Sequence, residues 1–358
     1  MKQSFAKNMK LPEGFHFETS WKSPSNIALV KYWGKYGVQL PANPSISMTL
    51  SAAYSQTKIS AEPAHERSID FYFHGKPNQT FVPKIESFFR RIDEHMPYLK
   101  KTRFVIESEN SFPHSAGIAS SASAMSSLAL GLAEMDDRLT QKSSAENGFL
   151  KKASFLSRLA SGSAARSVFT GYSLWGTHQA VKDSSNEYAI GINNRIHPNF
   201  QNVKDSILIV SSEPKSVSST AGHDLMNEHA FRQARISQAT ENTGKMLEIL
   251  HTGDWESFIE LTEQEALTLH GLMLSSQSAF VLLKPNTLSI INKIREFRKQ
   301  TSLPLCFTLD AGPNVHLLYP GEYAARIKKY IKDELALYCE NGYQMHDEIG
   351  HGPEKLNL

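Results

Sequence analysis

The sequence predicts an α+β chain of two domains. Strand-like and helix-like stretches are segregated along it instead of alternating one by one, which argues against a doubly wound sheet. At 358 residues the chain is too long for one comfortable core and suits two domains sharing a cleft. Past a polar stretch at 182–202 the pattern turns mainly helical, so the boundary is expected near residue 203, dividing 1–203 from 204–358.

Residues 15–30 read as a strand broken at Pro24, and 45–60, with Ile46, Met48, Leu50 and Ile59 among Ser and Thr, as further strand. A strand at 69–73 ends in the turn Gly75-Lys76-Pro77-Asn78. Residues 83–95 place Ile85, Phe88, Phe89 and Ile92 on one helical face, with Pro83 suited to the first turn. A strand at 103–108 precedes a small-residue segment, 115–127, that runs into an apolar helix ending near Met135. A helix at 145–161 leads to a strand at 167–175 closed by Gly176, and 207–210 reads as a short buried strand. Helices follow at 230–250, 255–272 and 287–299. A strand pair at 305–309 and 315–318 brackets Asp310-Ala311-Gly312-Pro313-Asn314, before a helix at 323–332 and a last short strand.

Charged (21%) and apolar (40%) fractions are ordinary for a globular protein. A net charge of +2 argues for no nucleic-acid or membrane-surface partner, so attraction for an anion must come from local Lys and Arg. Cys306 and Cys339 lack metal or disulfide spacing, and the fourteen His are scattered without ligand spacing. No secretory core is visible near the start, and no run reaches the roughly 18 apolar residues of a membrane span. A cytoplasmic protein with no membrane partner is expected, whose short N-terminal extension contributes little to function.

Four segments can carry chemistry, and each has a plainer reading. Pro113-His114-Ser115-Ala116-Gly117-Ile118-Ala119-Ser120-Ser121 lets a polyphosphate approach backbone at a helix start, although no Walker lysine follows; it also reads as a Ser-capped helix start. Asn26-Ile27-Ala28-Leu29-Val30-Lys31-Tyr32-Trp33-Gly34-Lys35 ends an apolar strand with two lysines beside aromatic walls, though lysines there are usually solvated. Ser161-Gly162-Ser163-Ala164-Ala165-Arg166-Ser167 suits clasping a carboxylate or phosphate, or simply ends a helix at Gly162. Asp310 stands at a strand end before a Gly-Pro turn, where it is either presented or just a turn former. The aromatics Phe71-Tyr72-Phe73 read as strand packing, and 260–265 as a solvated helix face.

Taken together, from about Ser23 to Leu318, these segments resemble the diphosphomevalonate decarboxylase family of the GHMP kinase superfamily. Asn26–Lys35 is similar to its N-terminal signature and Asn43-Pro44-Ser45-Ile46-Ser47-Met48-Thr49-Leu50 to the strand that follows. The remaining segments resemble its phosphate loop, its substrate motif and its catalytic-aspartate motif, in the family's order. The resemblance implies two α+β domains, the first binding ATP, with the active site in the cleft between them, and a homodimer. It implies that Asp310 is the catalytic aspartate facing a 3-hydroxyl, with Lys31 beside it and Arg166 orienting the substrate carboxylate. Tyr32, Lys35, Ser161 and Ser163 match positions that hold the phosphate end. Ser115, Ala116, Gly117, Ala119, Ser120 and Ser121 match the ATP site, Ser121 with Mg²⁺.

The implied reaction is ATP-dependent decarboxylation of mevalonate 5-diphosphate to isopentenyl diphosphate. Phosphorylating the tertiary hydroxyl makes it a leaving group, so phosphate and CO₂ depart together. The sequence departs from the family at Ser218-Ser219-Thr220-Ala221-Gly222-His223-Asp224-Leu225-Met226, where the family continues Gly-Met and then Leu-Thr; His114, Ser115 and Ala124 also differ. The first departure falls near the phosphate end. A decarboxylase of mevalonate monophosphate, a 3-kinase, and a non-catalytic binding protein of this fold are the alternatives.

Overall fold

The computed structural model describes residues 5–6, 9–112, 120–141, 146–213 and 219–358. Its strands in chain order are β1 (Phe17–Ala28), β2 (Lys35–Tyr36), β3 (Leu40–Pro41), β4 (Ser45–Pro63), β5 (Ser68–Phe73), β6 (Lys76–Pro77) and β7 (Thr102–Asn110). Then come β8 (Tyr172–Trp175), β9 (Ala189–Gly191), β10 (Val203–Leu208), β11 (Cys306–Leu309), β12 (Val315–Pro320), β13 (Gln344–Glu348) and β14 (Glu354–Leu356). The helices are α1 (Val82–Ile92), α2 (Ser120–Thr140), α3 (Glu146–Ala160), α4 (Ser219–Leu225), α5 (Arg232–Thr252), α6 (Trp255–Leu274), α7 (Pro285–Thr301) and α8 (Ala324–Tyr330). The α+β class expected from segregated elements is what folds.

One sheet runs β14-β1-β4-β7-β5-β6, with β8 pairing β4 and β9 pairing β8. The other runs β11-β12-β10-β13. Along β4, residues 53–61 alternate buried and open, as a sheet covered on one face requires, whereas Ser45–Leu50 is buried at every position. The buried half joins a core containing Ile46, Met48 and Leu50 together with Ile207, Met246 and Phe258 of later elements.

Pro24 breaks β1 as expected, because it has no N–H for the ladder. The register jumps from Pro24↔Tyr54 to Asn26↔Thr49, leaving Ser51, Ala52 and Ala53 looped out of β4. Their N–H groups donate to the Asp347 carboxylate of β13 at 2.7–2.8 Å. Small residues let α2 lie close to the sheet: a Cβ on Gly131 would sit 2.5 Å from Ile59, and Ser23–Ser126 and Ser55–Ser123 hydroxyls meet at 2.6 and 2.7 Å.

Several expectations are corrected. The strand expected over 167–175 forms only at Tyr172–Trp175, because Gly171 turns the chain with φ +59°. The helix expected to stop near Met135 continues to Thr140, held by the buried Asp136, which accepts from Lys152 Nζ at 2.7 Å and from the Ala6 N–H at 3.1 Å. That last contact docks the N-terminal segment. The turn placed at 75–78 falls at His74 and Gly75, both with positive φ, so that Lys76–Pro77 pairs back on β5. Helix α4 was not expected.

Candidate active site

The predicted side chains converge on one cavity of about 320 Å³. It is lined by Lys31, Tyr32, Lys35, Ser121, Ser161, Ser163, Arg166 and Asp310, among others. Ser120, the first residue of α2, borders a neighbouring cavity instead. Ser115, Ala116, Gly117 and Ala119 lie outside the described residues, so the phosphate loop assigned to them is not tested.

Lys31 follows directly where the chain leaves β1. It is not the solvated lysine that strand ends usually carry: its side chain is 2% exposed. Its Nζ donates to the Ala28 carbonyl at 2.6 Å and lies 3.8 Å from Asp310 Oδ1. Burial pushes the ammonium down to about 8, against the pull of Asp310 and Glu265, with Arg166 and Arg235 adding to the fall.

The Lys31 backbone is held as firmly as its side chain. Its N–H donates to Glu265 Oε2 at 2.8 Å, and its carbonyl accepts from Arg235 at 3.1 Å and Asn43 at 3.0 Å. Arg235 and Glu265 form a two-pronged pair at 2.7 and 2.6 Å, and Asn242 adds a bond to Glu265 at 2.6 Å. The helix face 260–265 is therefore not wholly solvated, because Glu263 and Glu265 are buried and paired with arginines. Glu265 falls within the apolar arc of Leu261, Ala266 and Leu269, and Arg235 shares a stripe with Ala239, Asn242 and Met246. Those periodicities were the signal that sequence reasoning missed.

Asp310 leaves the end of β11 with its carbonyl fixed by the Gly312 N–H at 2.7 Å and His270 Nε2 at 3.1 Å. Asn314 bonds both backbone groups of Ser211, and Thr287 donates to the Pro313 carbonyl at 2.7 Å. The turn is braced on three sides, and the carboxyl keeps 29% exposure toward the cavity.

Arg166 ends the 3-10 turn Gly162–Arg166. Its guanidinium donates to the Ser45 hydroxyl, which donates to the Val30 carbonyl at 2.5 Å. Nε is buried without a partner among the described residues, so donor capacity remains for a planar anion. Burial pushes this group down to about 10, with Asp310 opposing. Gly162 has no room for a side chain, since a Cβ would meet the Tyr32 hydroxyl at 2.7 Å.

At the other end Lys35 lies 3.6 Å from Asp224. Between Tyr32 and Trp33, at ring separations of 4.2 and 4.8 Å, sits His223. Lys84, another residue the sequence did not single out, donates to Ser121 at 2.7 Å, and Ser121 reaches Ser161 at 3.3 Å. Lys84 and Ser121 also border a second, apolar cavity of about 240 Å³ walled by Phe71, Phe73, Phe81, Ile106, Met125 and Leu128. Of the β5 aromatics, Phe71 and Phe73 line this space.

Comparison with known proteins decides the family. Residues 23–186 match the diphosphomevalonate decarboxylase-like N-terminal domain, and 206–354 match the mevalonate 5-diphosphate decarboxylase C-terminal domain. The chain belongs to the diphosphomevalonate decarboxylase family. The diphosphomevalonate decarboxylase of Eremothecium gossypii is 30% identical over 87% of this chain and 80% of its own length. The fold resembles mevalonate diphosphate decarboxylase from Staphylococcus aureus, with TM-score 0.82 and 25% identity, covering 96% of this chain and 99% of that one. It also resembles a structure described as MDDEF in complex with MVAPP, AMPPCP and magnesium, with TM-score 0.81 and 26% identity, covering 96% and 100%. Within this decarboxylase-family fold, Lys31, Arg166 and Asp310 come from three separate segments that only the folded chain brings together. No helix among the described residues is long and apolar enough to cross a membrane.

Proposed function

We propose that this chain catalyses ATP-dependent decarboxylation of mevalonate 5-diphosphate to isopentenyl diphosphate, CO₂, ADP and phosphate. The observation that carries it is the meeting of Asp310, Lys31 and Arg166 in one cavity. Phosphoryl transfer alone needs the first two; a buried arginine with an unpartnered Nε suits a substrate carboxylate.

Bound ATP with Mg²⁺ supplies the phosphoryl group and offsets its charge. The residues fit such a group: a helix start with Ser120 and Ser121, the Lys84 ammonium, and an apolar cavity sized for a flat base beside them. Among the described residues no three acidic, His or Cys side chains form a metal cage, so Mg²⁺ would rest on Ser121 and phosphate oxygens, its usual habit with nucleotides. Asp310 takes or steers the proton of the 3-hydroxyl as that oxygen is phosphorylated. Lys31 keeps Asp310 ionised and offsets charge on the transferred group. Arg166 holds the carboxylate so that the C–CO₂⁻ bond lies along the departing C–O bond. Its electrons form the alkene as CO₂ and phosphate leave.

Tyr32, Lys35, Ser161 and Ser163 hold the phosphate end. We read the chain as an ATP-binding domain, 1–203, and a second domain, 204–358, acting as a cytoplasmic homodimer. The test is CO₂ release from ATP with mevalonate 5-diphosphate and 5-phosphate in separate reactions. Release with the diphosphate is expected; ADP formation without CO₂ would instead indicate a 3-kinase. Asp310→Asn should lower kcat at least a thousandfold with little change in KM, as expected for a group acting on the transferred proton.

A further inference from the structure

We infer that His223 is a further substrate contact, a neutral donor to the outer phosphate that favours a diphosphate ester over a monophosphate. The inference rests on the decarboxylase reading above and deepens it.

His223 belongs to the Lys35 end of the cavity, because its neighbour Asp224 pairs with Lys35 across 3.6 Å and the ring itself lines the cavity wall. The ring is fixed in place and in tautomer. The Tyr32 and Trp33 rings pack against it at tilts of 37° and 39°, and its Nδ1 accepts the Gly34 N–H at 3.0 Å. A nitrogen that accepts carries no proton, so the proton is on Nε2. Nε2 makes no hydrogen bond among the described residues, and the ring lines the cavity that also holds Lys35, Arg166 and Asp310.

The backbone around it is built to keep the ring there. A Cβ on Gly34 would come within 3.2 Å of Ala42 and 3.3 Å of Met226, and one on Gly222 within 2.5 Å of the Trp33 ring. Burial and the charges of Lys35 and Arg166 hold the imidazole far below its ordinary value, at about 3. The ring thus donates one hydrogen bond without adding a charge. Asp224 already pairs with Lys35, so an incoming anion must compete with it for that ammonium. A ligand reaching both Lys35 and His223 gains a bond that a shorter ester, ending one phosphoryl unit earlier, does not make.

The test is steady-state kinetics and calorimetric titration with mevalonate 5-diphosphate and 5-phosphate on wild type, His223→Met and His223→Gln. Melting temperatures confirm that each variant is folded. Gln keeps both an acceptor for Gly34 and an N–H donor; Met keeps the volume only. Loss of one hydrogen bond to a charged group predicts about a tenfold rise in KM and Kd for the diphosphate in His223→Met. The monophosphate constants should hardly move, kcat should change much less than KM, and Gln should recover most of the loss. An equal rise for both esters, an unchanged diphosphate constant, or Gln failing alongside Met would overturn the inference. If wild type released no CO₂ from either ester, the decarboxylase reading would fail. The calorimetric constants would still decide the role of His223.

Discussion

Lys31 carries the clearest pH signature. In the proposed mechanism its ammonium must be charged to support Asp310, and burial pushes it from an ordinary 10.5 down to about 8. We therefore expect kcat/KM to fall as pH rises through about 8. Lys31→Arg should move that limb upward by two units or more, since guanidinium stays protonated, and a pH profile of both enzymes checks it. The stability sign is separate. Because the folded value lies below the free one, the folded state binds fewer protons between about 8 and 10.5. Folding gains stability as pH rises through that window and carries the full cost of the buried charge below it.

At the scale of elements, α5 and α6 hold the Lys31 backbone through a single buried pair. Arg235→Met would strand the Glu265 carboxylate, fully buried and still bonded to Asn242 and the Lys31 N–H. Breaking such a pair from one side costs about 3–5 kcal/mol; urea midpoints measure it, and the double change Arg235→Met with Glu265→Leu should recover part of the loss. Most elements were legible in the sequence because each buries one periodic face, as Ile85, Phe88, Phe89 and Ile92 do in α1. The cavity's lining was legible where short motifs single out a residue, as they do for Lys31, Arg166 and Asp310. Lys84, Arg235 and Glu265 were not, since a charge on a helix declares its partner only after packing. Nor was α4, a seven-residue helix too short for a periodic signal.

In the whole molecule the two sheets share a core through the doubly buried half of β4 and the Asp347 clamp on its looped-out residues. Asp347→Ala would remove the carboxylate that accepts from four backbone donors, those of Ser51, Ala52, Ala53 and Glu348, and should lower stability by about 3 kcal/mol, read from the thermal or urea midpoint. Charge is likewise organised globally. The chain carries only +2 overall, yet Lys31, Lys35, Lys84 and Arg166 line one cavity against Asp310. Raising salt from about 0.05 to 0.5 M should therefore raise KM for an anionic substrate severalfold while leaving kcat nearly constant.

β14 pairs with β1 at Ser20↔Leu356 through Lys22↔Glu354, after the chain has completed the other sheet. During synthesis, then, β1 emerges among the earliest elements and waits for nearly the whole chain before its outer edge is covered. An uncovered strand edge is a template for other chains. A chain truncated before residue 354 would lack the strand that covers this edge and should be prone to self-association, even though Lys31, Arg166 and Asp310 would already be made.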